Sequence, residues 1–350
     1  MTTHIRPHVS EVLKGNAAGD PHERDLWVYT PPGYDSGDRD SGDRDSGDRD
    51  SGDRESGDQR YPLLVCLIGF TGTGEMVCTG NRWSPGLPAR LDRLIAEGMP
   101  PVIVAFPDCF TRWGGSQYVN SSAIGRYEDY VCDEIIPFVE QEYRCTGNRG
   151  VFGKSSGGYG AVRLPMQRPG LFSVAASHSG DMGFAFVYQP EFADALARLA
   201  EFDSLDAWLE NFHAHEKKAS ADFGVMGYLA MASCYSPDPA EPYGFALPAE
   251  PETGELIPEV WERWRANDPV NMAEACADGL RALDLLFLDC GTKDEWRIHL
   301  GLRAFTKRLD ALRIPYESEE FPDTHRELSY RYDVSLPKLA AKLAALPDRS

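Results

Sequence analysis

The chain has 350 residues, with 35 Lys+Arg against 55 Asp+Glu and a formal charge of −20. Apolar residues make up 42% and aromatics 11%, ordinary globular values that exclude global disorder. A surface this negative has little to offer phosphates, which argues against nucleic acid and against an anionic membrane as partners.

Residues 1–8 carry no apolar signal core. The longest apolar run, 63–70, is far short of the roughly 20 residues of a bilayer span. Eight cysteines, at 66, 78, 109, 132, 145, 234, 276 and 290, form no CxxC pair. They read as reduced thiols of a cytoplasmic protein.

The first strand-like run is 25–30 and the next is 62–68. Between them, 35–54 holds four copies of Asp-Ser-Gly-Asp-Arg, and a degenerate fifth follows. From 35 to 60 there are ten acids, five arginines and no apolar residue. Such a segment cannot bury anything and reads as a solvated acidic loop. Its acids do not match an EF-hand. Long insertions in loops cost little, so 25–30 and 62–68 read as a hairpin with an overgrown tip.

Strands and helices then alternate. Residues 63–68 are a continuous apolar run, as in a strand buried on both faces. A helix follows over 88–97, then a strand over 101–106. Apolar positions at helical spacing predict a helix over 126–143. A short strand at 150–153 precedes a helix at 157–167, and a fourth strand covers 171–177. Further strands are read at 283–290 and 315–321, each followed by a helix, at 295–312 and 336–345. The alternation implies a mostly parallel sheet flanked by helices. Residues 183–280 break it with helical stretches (192–212, 258–265) and a Pro-rich stretch. The expected organisation is an α/β core over 1–182 and 281–350, an acidic repeat loop at 35–60, and a mainly helical cap inserted at 183–280.

The segment Gly153-Lys154-Ser155-Ser156-Gly157 contains G-x-S-x-G between a strand and a helix. In that context the serine stands on a tight turn, its hydroxyl free at the sheet edge, and the glycines let strand and helix backbones pass closely. The Ser156 N–H at the helix start can stabilise an oxyanion. A phosphate loop would need G-x-x-x-x-G-K-[ST], which is absent. A second donor is expected after the early buried strand, where Ile68-Gly69-Phe70-Thr71-Gly72 points to the Phe70 N–H. Gly69 and Thr71 flank it as candidate substrate contacts.

Chain order on this fold is serine, acid, histidine. Asp294 follows the fifth strand and His325 the sixth, both in loops where open α/β sheets place their sites. His325 would exchange the Ser155 proton and Asp294 would hold its tautomer. Glu295 and Asp181 are the competing acids, and Asp181 is also a candidate substrate contact. Trp113, in a loop after the second strand with Gln117 and Asn120, is another. His213 and His215 have no metal-ligand spacing, and no metal is expected. Trp208, Trp261 and Trp264 read equally as cap core or pocket wall.

These motifs resemble the putative-esterase family of α/β hydrolases, which includes enterochelin esterases, S-formylglutathione hydrolases (esterase D) and feruloyl esterases, with mycolyltransferases as relatives. The matching segments are 153–161, 68–72, 290–295, the late Thr324-His325 and Tyr29-Thr30-Pro31-Pro32-Gly33-Tyr34. The resemblance covers 24–34, 60–182 and 283–345. It departs where many relatives have His-Gly and this chain has Ile68-Gly69. It implies an α/β-hydrolase fold, acyl-enzyme chemistry, and neither metal nor organic cofactor. Ser155, Asp294 and His325 inherit triad roles, and Phe70 with Ser156 an oxyanion hole.

The expected activity is a serine carboxylesterase acting on a small-molecule ester. Amidase or acyltransferase chemistry on the same triad, or a catalytically silent binding protein, are the alternatives. A homodimer is left open as the assembly.

Overall fold

The computed structural model describes residues 2–34 and 59–349. The repeat at 35–58 lies outside the described residues. Ten strands occur among them: β1 (Thr2–Val9), β2 (Glu23–Thr30), β3 (Tyr61–Leu67), β4 (Ile103–Phe106), β5 (Asn120–Ser121), β6 (Gly125–Arg126), β7 (Cys145–Lys154), β8 (Val174–His178), β9 (Leu285–Gly291) and β10 (Glu317–Phe321). Eight form one sheet in the order β1-β2-β4-β3-β7-β8-β9-β10. β4, β3, β7, β8, β9 and β10 are parallel, and β1 and β2 add an antiparallel edge. β5 and β6 make a separate two-stranded ribbon.

The hairpin expected around the repeat is not formed. β2 pairs with β1 and β4, and β4 separates it from β3. The two apolar runs therefore stand on either side of β4. The real hairpin is β1 with β2, paired from Thr2↔Thr30 to Val9↔Glu23. β1 was not expected because its residues are polar and largely exposed. Pro7 fits there because an outermost strand leaves one row of N–H groups unused.

Strand side chains alternate between two faces, and each face is covered. On one, Leu64, Cys66, Val104, Phe152, Ala176 and Phe287 pack under the helices Leu87–Ala96 and Tyr332–Ala344. On the other, Leu63, Val65, Ala105, Val151 and Leu288 join the apolar residues of Ser156–Gln167 and Ile298–Leu312. The helix expected over 126–143 runs from Tyr127 to Glu142 with a wider π turn at Tyr130–Ile135. Pro137 follows that turn directly. Its ring supplies no N–H, and the widened turn is where the ladder absorbs the loss.

Residues 183–280 run between β8 and β9 as helices, and their buried side chains join the apolar cluster of the second sheet face. The stretch expected as one helix over 192–212 is two, Phe192–Leu199 and Leu205–Ala214, the second capped by Ser204 Oγ accepting from the Ala207 N–H at 3.1 Å. The longest helix of the segment, Ser220–Tyr235, has Val225, Met226, Tyr228, Leu229, Met231 and Ala232 all buried. No described helix is long and apolar enough to cross a membrane. All eight cysteines are free thiols.

One buried polar network ties the sheet's C-terminal half to the last helix. His178 Nδ1 meets Asp289 Oδ1 at 2.8 Å and its Nε2 meets Ser335 Oγ at 2.8 Å. Arg331 Nε donates to Asp289 Oδ2 at 2.7 Å. Asp289 shares the Arg331 guanidinium, just before the final helix, with Glu319. Asp289→Ala should leave His178 Nδ1 and Arg331 Nε without their buried partner while Arg331 keeps Glu319, costing about 1–3 kcal/mol for each group left unpaired. Urea denaturation reads this as a large drop in midpoint at unchanged slope, and an unshifted midpoint would remove the network from the fold's support.

Candidate active site

The turn after β7 is built by close backbone approach. A Cβ on Gly157 would stand 2.0 Å from the Leu67 carbonyl oxygen, and one on Gly153 would stand 2.4 Å from the Gly157 carbonyl carbon. Only residues without a side chain let β3, β7 and the helix Ser156–Gln167 meet this tightly. Ser155 takes the strain, with φ 58° and ψ −127°. Its N–H is held by the His178 carbonyl at 2.9 Å. The side chain is thereby lifted off the sheet edge.

Two loops converge on it. After β9, Gly291 lies where a Cβ would stand 2.3 Å from the Asp323 carbonyl oxygen, so the loop after β10 can cross it. The Thr292 and Lys293 N–H groups donate to Phe321 and Asp323 carbonyls at 2.8 and 2.9 Å. This stitching brings Asp294 and His325 together. His325 Nδ1 meets Asp294 Oδ2 at 2.7 Å, and His325 Nε2 meets Ser155 Oγ at 3.0 Å. The other Asp294 oxygen accepts from the Trp296 N–H at 2.9 Å. Trp296 also stacks edge-on against the imidazole, ring centroids 4.8 Å apart. Asp294 is 4% exposed and His325 6%. With a carboxylate on Nδ1, that nitrogen carries the proton and Nε2 is the free acceptor facing the hydroxyl.

Neither competing acid takes that place. Glu295 accepts the His325 backbone N–H at 2.8 Å and so fixes the loop. Asp181 is buried and its Oδ2 accepts from Ser156 Oγ, Gln117 Nε2 and Tyr188 OH at 3.1, 3.2 and 2.9 Å. Burial pushes the Asp181 carboxyl up, while His325 and these three donors pull it back.

The loop after β3 lies against the turn: a Cβ on Gly69 would be 3.3 Å from the Lys154 carbonyl oxygen and 3.5 Å from Ser155 Cβ. A cavity of about 250 Å³ opens here, lined by Gly69, Phe70, Ser155, Ser156, Asp181 and His325 at its floor. Its far wall comes from 183–280, through Tyr188, Phe192, Tyr228, Met231 and Trp264. The cavity is an apolar chamber with a hydroxyl, an imidazole and a carboxylate at one end.

Thr71 and Trp113 are not brought into this cavity. Thr71 turns away at φ 62°, its N–H tied to the Gly114 carbonyl at 2.9 Å. Trp113 is buried edge-on against Phe245, centroids 5.4 Å apart, and is a packing residue of its loop. From that loop Gln117 reaches the residues of the cavity wall, its Nε2 donating to Asp181 Oδ2, Tyr188 OH and Met231 Sδ at 3.2, 3.0 and 3.0 Å. Among the tryptophans, Trp264 forms cavity wall. Trp208 is interior to the helical segment, its Nε1–H donating to Asp222 at 3.0 Å. Trp261 packs on Phe192 without lining the cavity.

Four residues of the far wall have no signal in the sequence. Tyr188, Phe192, Tyr228 and Met231 lie far from every motif, and only the packing of the inserted helices places them. Lys154 sits inside the motif, yet its role as cavity wall gave no separate signal. Burial lowers its ammonium pKa, against the pull of Asp294, Asp181 and Glu295. No cluster of three or more His, Cys, Asp or Glu side chains fit to hold a metal occurs among the described residues.

A family model described as "Putative esterase" matches residues 53–333. Solved structures of like architecture include a ferulic acid esterase, 16% identical, with 97% of this chain and 98% of that chain covered and a TM-score of 0.59. An S-formylglutathione hydrolase from Agrobacterium tumefaciens is 17% identical over 97% and 95%, also at 0.59. A fluorophosphonate-binding serine hydrolase from Staphylococcus aureus, with substrate bound, is 15% identical over 98% and 98%, at 0.55. Likeness at these identities speaks for the fold, a mostly parallel sheet of the α/β-hydrolase kind. No curated protein matches the sequence.

Gly157→Ala tests the turn. The new methyl meets backbone on every side, and overpacking of this kind costs about 3 kcal/mol or more. Thermal melting should show a strongly lowered transition or no folded protein. A wild-type melting temperature would mean the crossing is not tight.

Proposed function

The chain belongs to the putative esterase family and is a carboxylesterase-type enzyme, and from that premise we propose that it cleaves its ester through an acyl-enzyme on Ser155. The observation that carries the reading is the continuous relay from Asp294 through His325 to the Ser155 hydroxyl, at 2.7 and 3.0 Å, with Ser155 and His325 lining the cavity.

In this scheme His325 Nε2 takes the Ser155 proton as Oγ attacks the ester carbon. The carbonyl oxygen becomes an oxyanion, received by the N–H groups of Phe70 and Ser156. The second lies at a helix start, where backbone donors are unsatisfied within the helix. As the tetrahedral adduct collapses, the imidazolium gives its proton to the departing alkoxide, and the alcohol leaves. Water then repeats the sequence on the acyl-enzyme and releases the acid. Asp294 keeps the proton on Nδ1 and stabilises the imidazolium. The helical segment 183–280 acts as a cap that shields the acyl group from bulk water.

Ser155→Ala should lower kcat/KM by on the order of 10⁴-fold or more with the fold intact. Intact mass after incubation with a fluorophosphonate should give one adduct on the wild type and none on the variant. An adduct that survives the substitution would move the nucleophile elsewhere.

Asp294→Asn tests the acid separately. A carboxylate-to-amide change in this position favours the wrong tautomer and should cost about 10³- to 10⁴-fold in kcat. Should Asp181→Asn abolish turnover of every ester while Asp294→Asn leaves it untouched, the acid would be Asp181.

A further inference from the structure

Asp181 has no task in the scheme above, yet it is the most elaborately held group on the cavity wall. It is 5% exposed, and its Oδ2 is saturated by three donors from three separate segments. All three of its hydrogen bonds fall on Oδ2, none among the described residues falls on Oδ1, and Asp181 lines the cavity. A buried carboxylate left with a free oxygen wants a donor, and the protein supplies none.

Its position sharpens the point. Ser156 donates its O–H to Asp181, and its N–H is one of the two proposed oxyanion donors. The carboxylate therefore stands beside the place where negative charge develops. Like charges so close oppose the transition state unless a positive group comes between or beside them. Lys154, also on the cavity wall, makes no ion pair with Asp181 among the described residues, and its ammonium is drawn to Asp294 ahead of Asp181 and Glu295. The same cavity is lined by Tyr188, Phe192, Tyr228 and Trp264, and aromatic ring faces attract cations. Glu191 adds a second carboxylate to the same wall.

We propose that Asp181 is a specificity-determining residue of the acyl subsite, and that the preferred ester carries a protonated amine close to its scissile carbonyl, as in an aminoacyl ester. The ammonium donates to Asp181 Oδ1 and neutralises the carboxylate beside the oxyanion. A neutral acyl group of the same shape leaves Asp181 unpaired and is turned over more slowly. The inference rests on the hydrolase reading above.

The test uses the 2-naphthyl esters of alanine and of isobutyric acid, which differ by an ammonium in place of a methyl. Rates are normalised to hydroxide hydrolysis of each ester. Wild type should favour the alanyl ester in kcat/KM by on the order of 10- to 100-fold, the range of a desolvated charge-assisted hydrogen bond. Asp181→Asn should erase that preference by slowing the alanyl ester while sparing or raising isobutyryl turnover. Equal loss on both esters would make Asp181 structural and overturn the proposal. So would a wild type that shows no preference or favours isobutyryl, a result readable without any variant. Fluorophosphonate labelling of the same sample separates the two readings. A labelled enzyme without the preference sinks this inference alone, and an unlabelled one sinks the hydrolase scheme with it.

Discussion

The Leu67 carbonyl stands where any side chain on Gly157 would have to go, and the Gly157 backbone closes in on Gly153 in the same way. This contact fixes the distance between β3, β7 and the helix that starts at Ser156. It forces Ser155 into a left-handed conformation that costs on the order of 1–3 kcal/mol, which the surrounding sheet must hold. The strain is what separates the serine hydroxyl from the strand and aims it at the loops after β9 and β10. The same crossing brings the Gly69–Phe70 turn against Ser155. The nucleophile and one of its proposed oxyanion donors are therefore set by one steric constraint.

The fold contains two Ser–His–Asp arrays, and their contrast is instructive. Ser155, His325 and Asp294 open on a cavity. Ser335, His178 and Asp289 make distances of the same order, yet all three are buried and Arg331 occupies the second Asp289 oxygen. Hydrogen-bond geometry by itself does not make a reactive serine. An adjoining cavity and strained backbone at the serine distinguish the first array. The second is a strut: the His178 carbonyl holds the Ser155 N–H, and the Asp289 carbonyl holds that of Ser179. The sealed array thus supports the open one from beneath.

Much of the core was legible because its signals are local. Buried parallel strands read as short apolar runs, and the 63–67 and 103–106 segments carry no polar residue to blur them. Gly153, Gly157, Gly69 and Gly291 stand out because backbone crossings admit nothing else. β1 was not legible, since an outermost strand with one exposed face has no apolar alternation to show. β7 begins at Cys145 and not at 150: Thr146, Asn148 and Arg149 are polar, and a register shift against β3 between Cys145 and Arg149 interrupts the ladder there. The helix Ser220–Tyr235 is buried all round from Tyr228 onward, so no one-sided period marks it. The expected hairpin failed for a different reason: adjacency in the chain was taken for adjacency in the sheet.

What separates this cavity from a generic ester pocket lies in long-range contacts that no motif encodes. Gln117, Ser156 and Tyr188 come from a loop after β4, the turn after β7 and the inserted segment. They meet on one oxygen of Asp181, three residues past β8, and Gln117 also donates to Tyr188. Three donors spent on one side of a buried carboxylate fix its plane. The other oxygen is then oriented before any ligand arrives, so no rotamer freedom is lost when a donor docks. Preorganisation of that kind is costly to maintain in an apolar wall, since desolvation opposes the charged form. A group that serves packing alone would be cheaper as an amide or a leucine. The cost is understandable when, as proposed, the carboxylate selects the acyl group, and it makes that choice a property of the same end of the cavity that holds Ser155 and His325.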